Sequence, residues 1–149
     1  MGKFLATLAT ITLLVAGEAG AQQQMPAYAT GVLVGSWQLV KVMDSNGQAV
    51  SPANKADYTI TFAADGKVSV RIDCNQGTST WATASKGEIH FAPLALTQAA
   101  CAKGSLHDRM VKDWLRIKSY TQQNGQLYLA LAAEGGSYHF EPVGRDKAK

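Results

Sequence analysis

Charged residues are scarce in this chain, and motifs that mark known catalytic chemistry are missing from it. Asp, Glu, Lys and Arg make up 17% of the 149 residues, and the formal net charge of +3 comes from lysines that are scattered along the chain. Such a small surplus does not suggest nucleic-acid binding. No GxSxG, HExxH or glycine-rich phosphate loop occurs. The sequence therefore predicts a non-enzymatic protein without a cofactor.

Apolar runs long enough to cross a membrane are also lacking. The longest, Phe4 to Ala16, has about 13 residues, where roughly 20 are needed to span. Lys3 precedes it and Ala19-Gly20-Ala21 follows it, which is the pattern of a cleaved signal peptide. Residues 1–21 are predicted to be that peptide, cleaved after Ala21, with no cysteine nearby to carry a lipid. We expect a periplasmic or secreted protein that does not span the membrane.

Cysteine occurs only at Cys74 and Cys101. An exported protein meets an oxidising compartment, so the pair is read first as a disulfide. Closing that loop would stabilise the fold by about 3.5 kcal/mol in the chain-entropy model. Free structural thiols, a zinc site and a catalytic thiol are the alternatives. Zinc would need CxxC or closely spaced histidines, neither of which is present, and a nucleophile would have to stay reduced, so no metal site is predicted.

Candidate nucleophiles and bases do not form a catalytic set. A Ser-His-Asp or Cys-His arrangement needs a nucleophile beside a base. His90 and His139 fall on outward strand positions, His107 falls in the first turn of a helix, and Ser105 is interpreted as its cap. No catalytic residue is predicted.

Alternation of apolar and polar residues predicts about eight short antiparallel strands. Tyr58–Phe62 and Lys67–Cys74 flank an Asp65-Gly66 turn, and a later hairpin turns at Asn124-Gly125. Regular short strands joined by hairpins favour a mainly β (α+β) fold, either a small barrel or a strongly curved sheet. Because side chains alternate along a strand, Cys74 is expected to point towards the core.

One helix, at about 105–117, is predicted to pack on the sheet. Ser105 and Asp108 match the capping-box spacing at its start. The apolar stripe recurs at helical spacing and consists of Leu106, Met110, Val111, Trp114, Leu115 and Ile117.

The remaining segments suggest a single domain at 34–143, with a flexible lead-in at 22–33 and a disordered tail at 144–149. The turn-rich stretch Asp44–Lys55 is predicted to be a long loop. Together with Gln76–Thr80 it is a candidate contact surface.

Several motifs together resemble the META domain, or HslJ-like, family. They are Gly35-Ser36-Trp37-Gln38-Leu39, Asp73-Cys74-Asn75-Gln76-Gly77, Leu96-Thr97-Gln98-Ala99-Ala100-Cys101 and Tyr138-His139-Phe140-Glu141-Pro142. The resemblance covers roughly residues 34–143. On this basis the residues interpreted as structural family positions are Trp37, Asn75, Gly77, Thr97, Ser105 and Asp108.

The resemblance implies a small lipocalin-like domain of the bacterial envelope. Members of the family are associated with heat-shock induction, drug tolerance and virulence, and no catalytic residues are established for them. We therefore expect a monomeric, stress-related binding or protective module whose partner is an unidentified envelope protein or ligand. The alternatives are an inhibitor of a hydrolase such as lysozyme or a protease, and a carrier of small apolar ligands.

Overall fold

Strands are the commonest element of the folded chain, since apolar and polar side chains alternate along it. The computed structural model describes residues 27–144, so the predicted signal peptide, residues 22–26 of the predicted lead-in and residues 145–149 of the predicted tail lie outside it. The strands in this part of the chain are β1 (Gly35–Met43), β2 (Ala49–Val50), β3 (Tyr58–Phe62), β4 (Lys67–Ile72), β5 (Asn75–Ala82), β6 (His90–Phe91), β7 (Ala95–Leu96), β8 (Ile117–Gln123), β9 (Gln126–Leu131) and β10 (Ser137–Pro142). The helical elements are α1 (Ala27–Leu33), α2 (His107–Asp113) and the 3₁₀ turns Lys55–Asp57, Trp114–Arg116 and Ala132–Glu134.

The strands form one antiparallel sheet that curls until its two ends meet. Eight of them follow one another in the order β6-β5-β4-β3-β1-β10-β9-β8, while β2 pairs with β1 and β7 pairs with β5. Just before β6, the Ile89 amide donates to the Lys118 carbonyl of β8 over 3.1 Å, and the Tyr120 amide of β8 donates to the Gly87 carbonyl over 2.9 Å. The nearly closed, barrel-like sheet confirms the predicted mainly β fold class.

Inward-facing side chains fill the interior of this sheet. On β3, Tyr58, Ile60 and Phe62 are buried and alternate with half-buried threonines. The Phe91 ring lies 4.3 Å from the Trp114 ring and 6.0 Å from the Phe62 ring. Aromatic side chains bury large apolar areas and dominate the energy of a core. Since the interior of an eight-stranded barrel is just wide enough for side chains, residues of this size occupy it.

The second helix is shorter than its apolar stripe predicts. It ends at Asp113, a 3₁₀ turn follows, and Ile117 already pairs with Leu131 as the first residue of β8. Val111 and Leu115, predicted to widen the buried stripe, are 40% and 50% exposed. Pairing with β9 takes the chain into the sheet after a single 3₁₀ turn, so a helix this short buries only a narrow face.

A helix also occupies part of the segment predicted to be a flexible lead-in. Ala29 and Leu33 lie four residues apart on α1, and both are fully buried. The Trp37 indole donates to the Leu33 carbonyl over 2.8 Å, which ties the end of α1 to β1. Two apolar residues make too weak a periodic signal to predict a helix, and tertiary contacts stabilise it here. No helix within residues 27–144 is long and apolar enough to span a membrane.

Candidate functional site

A two-residue turn between β4 and β5 decides which way the first cysteine points. Ile72 pairs with Asn75, so Asp73 and Cys74 form the turn, and Asp73 takes a left-handed conformation with φ of 56°. The prediction that Cys74 points into the core is wrong. The strand ends at Ile72, and after the two-residue turn the next side chain on the inward face is that of Asn75. Cys74 is exposed, and Asn75 is the fully buried residue.

Asn75 joins the end of the sheet to the loop that follows β7. Its Oδ1 accepts hydrogen bonds from the Ala99 amide (2.7 Å) and the Thr97 hydroxyl (2.9 Å), and its Nδ2 donates to the Ala99 carbonyl (2.9 Å). The Thr97 Oγ1 also accepts from the Gln76 amide over 3.0 Å. A buried amide that pairs on both its donor and acceptor sides holds its partners in one arrangement.

The disulfide reinforces the same junction. Cys74 and Cys101 are bonded, which confirms the predicted crosslink and leaves no free cysteine in the described part of the chain. The Asn75 Nδ2 lies 3.4 Å from the Cys74 sulfur and 3.5 Å from the Cys101 sulfur. The covalent and hydrogen-bonded links therefore act on one short loop, residues 97–101, which we call the clasped loop.

Gly77 lets β7 lie against β5. It pairs with Leu96, and a Cβ atom at this position would collide with the Ala95 carbonyl oxygen and the Leu96 side chain. Residues 76–80, predicted to be part of a contact surface with the loop at Asp44–Lys55, belong to strand β5. Only a residue without a side chain allows this close approach of two backbones.

The start of α2 is held by Tyr58 rather than by the predicted capping box. The Tyr58 hydroxyl accepts from the Leu106 amide over 3.0 Å and lies 3.3 Å from the Ser105 hydroxyl. The Ser105 Oγ accepts from the His107 amide, and the exposed Asp108 carboxylate contacts the His107 ring over 2.8 Å. Because the helix begins at His107, Ser105 stands too early to cap it and forms a local turn instead.

The far end of α2 is held by a buried carboxylate. Asp113, only 6% exposed, accepts 2.8 Å hydrogen bonds from the Tyr138 hydroxyl and the Arg116 guanidinium. Burial, together with the hydrogen bond to Asp113, raises the pKa of Tyr138 far above its ordinary value. Tyr138 thus stays a neutral donor that fixes the helix against β10.

Replacing this hydroxyl should measurably loosen the helix. Tyr138→Phe is expected to lower the free energy of unfolding by about 2 kcal/mol, because the Asp113 carboxylate loses a buried donor while the ring is kept. Urea unfolding measures the change. The control is Tyr128→Phe, whose hydroxyl donates to Gln126 at a half-buried site. A loss no larger than that of the control would contradict the role of Tyr138.

An apolar groove lies between the segment around the clasped loop and α2. Its walls are Leu94 to Ala100 on one side and His107 with Val111 on the other, and its volume is about 670 Å³. Leu94 and Leu96 are partly buried against the core. The His107 Nε2 is buried without a hydrogen-bond partner. This groove is the candidate functional site, because the junction at Asn75 and the anchors of α2 fix both of its walls.

The family follows from a comparison of the whole domain. The family model of the META domain matches residues 31–143, which spans the chain from the end of α1 through β10. This chain belongs to the META domain family. The recognition based on the motifs at Trp37, Asn75 and Thr97 is confirmed.

Solved structures share the fold of this META domain. A protein from Burkholderia xenovorans, solved by NMR, is 23% identical with a TM-score of 0.64, over 91% of this chain and 100% of that one. The crystal structure of a DUF4847 family protein from Bacteroides vulgatus is 14% identical with a TM-score of 0.56, over 76% of this chain and 96% of that one. At these identities the likeness concerns the fold alone. A comparison with curated proteins gives no match.

The three histidines of this META domain lie on three different elements, which are β6, α2 and β10. Ser137 and His139 form a pair that was not predicted, with Oγ and Nε2 2.8 Å apart. Their spacing of two residues on one strand face was the available signal. Burial, followed by the charge of Lys41, lowers the pKa of His139. No acidic side chain within residues 27–144 pairs with this histidine, so the pair lacks the orienting member of a triad.

Metal-ligating side chains do not converge in the described part of this META domain. No group of three or more His, Cys, Asp or Glu residues between 27 and 144 is arranged to hold a metal ion. Both sulfurs are used by the disulfide. The candidate site offers shape, apolar contact and main-chain groups, with Thr97, Gln98 and His107 as its polar side chains.

Proposed function

We propose that this META domain is an exported, non-catalytic binding module of the bacterial envelope that contacts another envelope protein through its groove in a stress-related role. The observation that carries the proposal is an apolar groove whose two walls are fixed by a disulfide, a buried Asn75 and a buried Asp113. A surface ordered before binding loses less entropy when a partner arrives. The disulfide is compatible with export, as is the signal-peptide pattern of residues 1–21.

The filled interior favours a surface site over an internal carrier site. Fully buried side chains such as Phe62, Trp114, Tyr138 and Phe140 occupy the space inside the sheet. A carrier of apolar ligands would need that space empty. The groove at the clasped loop lies outside the sheet and is open to a macromolecule.

Inhibition of an envelope hydrolase is a second candidate function. The observation that favours it is the clasped loop, which Asn75 and the disulfide hold close to the sheet. Rigid loops suit inhibitors because little conformational freedom is lost on binding. Titration of lysozyme or an envelope protease with the protein would give stoichiometric inhibition under this candidate and an unchanged rate under the first.

The binding surface can be tested with two matched substitutions. Val111 in the groove is 40% exposed, and Val50 on β2, which is not among the groove-lining residues, is 44% exposed. Crosslinking pull-down from envelope extract is expected to capture the same partner with the wild type and with Val50→Glu. Val111→Glu should reduce that capture at least about tenfold, because a carboxylate would enter an apolar contact. Equal capture by both variants would show that the groove is not the binding surface.

A further inference from the structure

Strand β7 presents a free edge beside the groove. It pairs with β5 and with no other strand within residues 27–144. The Thr97 amide donates to the Gln76 carbonyl over 2.9 Å, so this residue directs its main-chain groups towards β5. In an antiparallel ladder successive residues direct those groups to opposite sides. The amide and carbonyl of Leu96 therefore face away from the sheet, at the side where a further strand could pair.

This edge carries none of the charges that usually protect strand edges. No Asp, Glu, Lys or Arg occurs from Phe91 to Ala102. Natural proteins commonly place lysines or inward-pointing charges on an exposed edge, so that other chains do not pair with it. Their absence leaves the main chain and the apolar side chains around Leu96 accessible to a partner strand.

Two exposed lysines lie close to the groove in the sequence, together with one exposed carboxylate, Asp108. Lys103 follows the clasped loop and Lys112 follows Val111, and both lysines are exposed. Neither forms an ion pair within the described part of the chain. A partner segment with acidic residues beside its apolar stretch would complement this arrangement.

We propose that the partner contributes a short extended segment that pairs antiparallel with β7, an inference that rests on the proposed function. Alternate side chains of that segment enter the groove, where they contact Leu94, Leu96 and Val111. In β-augmentation of this kind, main-chain hydrogen bonds supply affinity and side-chain pockets supply specificity. Acidic residues flanking the segment face Lys103 and Lys112.

Selection from a phage-displayed library of random short peptides on the exported chain tests this mode of binding. Enriched peptides are expected to alternate apolar residues and to carry flanking aspartate or glutamate. A synthesised peptide should bind the wild type and Val50→Glu equally, and should bind Val111→Glu at least about tenfold more weakly. The double variant Lys103→Glu and Lys112→Glu should bind peptides with acidic flanks more weakly than the wild type does, and peptides with basic flanks more tightly.

Backbone methylation of the selected peptide separates strand pairing from apolar contact alone. Every second amide of the peptide can be N-methylated, which gives two peptides with alternate sets of amides blocked. Blocking the set that faces β7 is expected to abolish binding, and blocking the other set should leave binding nearly unchanged, since only one edge of the peptide meets β7. The proposal would be overturned if no peptide were enriched, if the peptide bound the wild type and Val111→Glu equally, or if the two methylated peptides bound equally. So would a dimer that Val111→Glu converts to a monomer, because a second copy would then occupy the edge. If the envelope partner still requires Val111, the proposed function stands and only strand addition fails.

Discussion

Replacing Cys74 and Cys101 together with serine is expected to lower the free energy of unfolding by about 3.5 kcal/mol. The two residues are separated by 27 positions, so the crosslink removes much of the freedom of the unfolded chain between them. In the folded state the hydrogen bonds of Asn75 with Thr97 and Ala99 remain available. Urea denaturation of the two proteins, monitored by tryptophan fluorescence, measures the difference.

Reduction of the wild-type protein is the control for this substitution. A reducing agent should destabilise the wild type by a similar amount and leave the serine variant unchanged. If the free energy of unfolding fell by less than about 1 kcal/mol in both experiments, the crosslink would not reduce the conformational entropy of the unfolded chain as the model requires.

Removing the Asn75 side chain is expected to cost about 3 kcal/mol of folding stability. Asn75→Ala removes a fully buried side chain that makes three hydrogen bonds, two with the Ala99 main chain and one with the Thr97 hydroxyl, and each such bond contributes about 1 kcal/mol net. Asn75→Asp should lower the folding stability at least as much, because a carboxylate cannot donate a hydrogen bond to the Ala99 carbonyl and its charge would be buried. Chemical denaturation measures both variants.

Gln76→Ala is the matched control, since the neighbouring side chain is exposed and the hydrogen bonds at this position are made by its backbone. It should change stability by less than about 0.5 kcal/mol. The Asn75 and cysteine substitutions are expected to be non-additive when combined, because Nδ2 lies within 3.5 Å of both sulfurs. A loss for Asn75→Ala no larger than that of the control would contradict the central role of Asn75.

Local patterns were sufficient for the class of fold and for most strands. The alternation at Tyr58–Phe62 predicts β3 with its observed bounds, since the period of two directly reflects which side chains face the core. The Asn124-Gly125 turn likewise joins two observed strands. The disulfide was also predictable, because two cysteines in a chain whose sequence predicts export have few other uses.

The candidate groove was not predictable, because its walls come from elements that are distant in sequence. Leu96 and Val111 face a common space only after Gly77 admits β7 against β5 and Asp113 anchors α2. The apolar character of Val111 suggested a core position, whereas the short helix leaves it 40% exposed.

The sequence by itself determined the mainly β class, through periodicity and turn residues, and the crosslink, because Cys74 and Cys101 are its two cysteines. Its motifs resemble those of the META domain family. Only the tertiary structure decided that Asn75, and not Cys74, is buried at the junction, and that an uncharged strand edge lies beside an apolar groove. The physical reason is that the chain reverses at a two-residue turn with Asp73 in a left-handed conformation, and this turn changes which face each side chain of β5 occupies. Sequence alternation alone does not reveal where such a turn interrupts a strand.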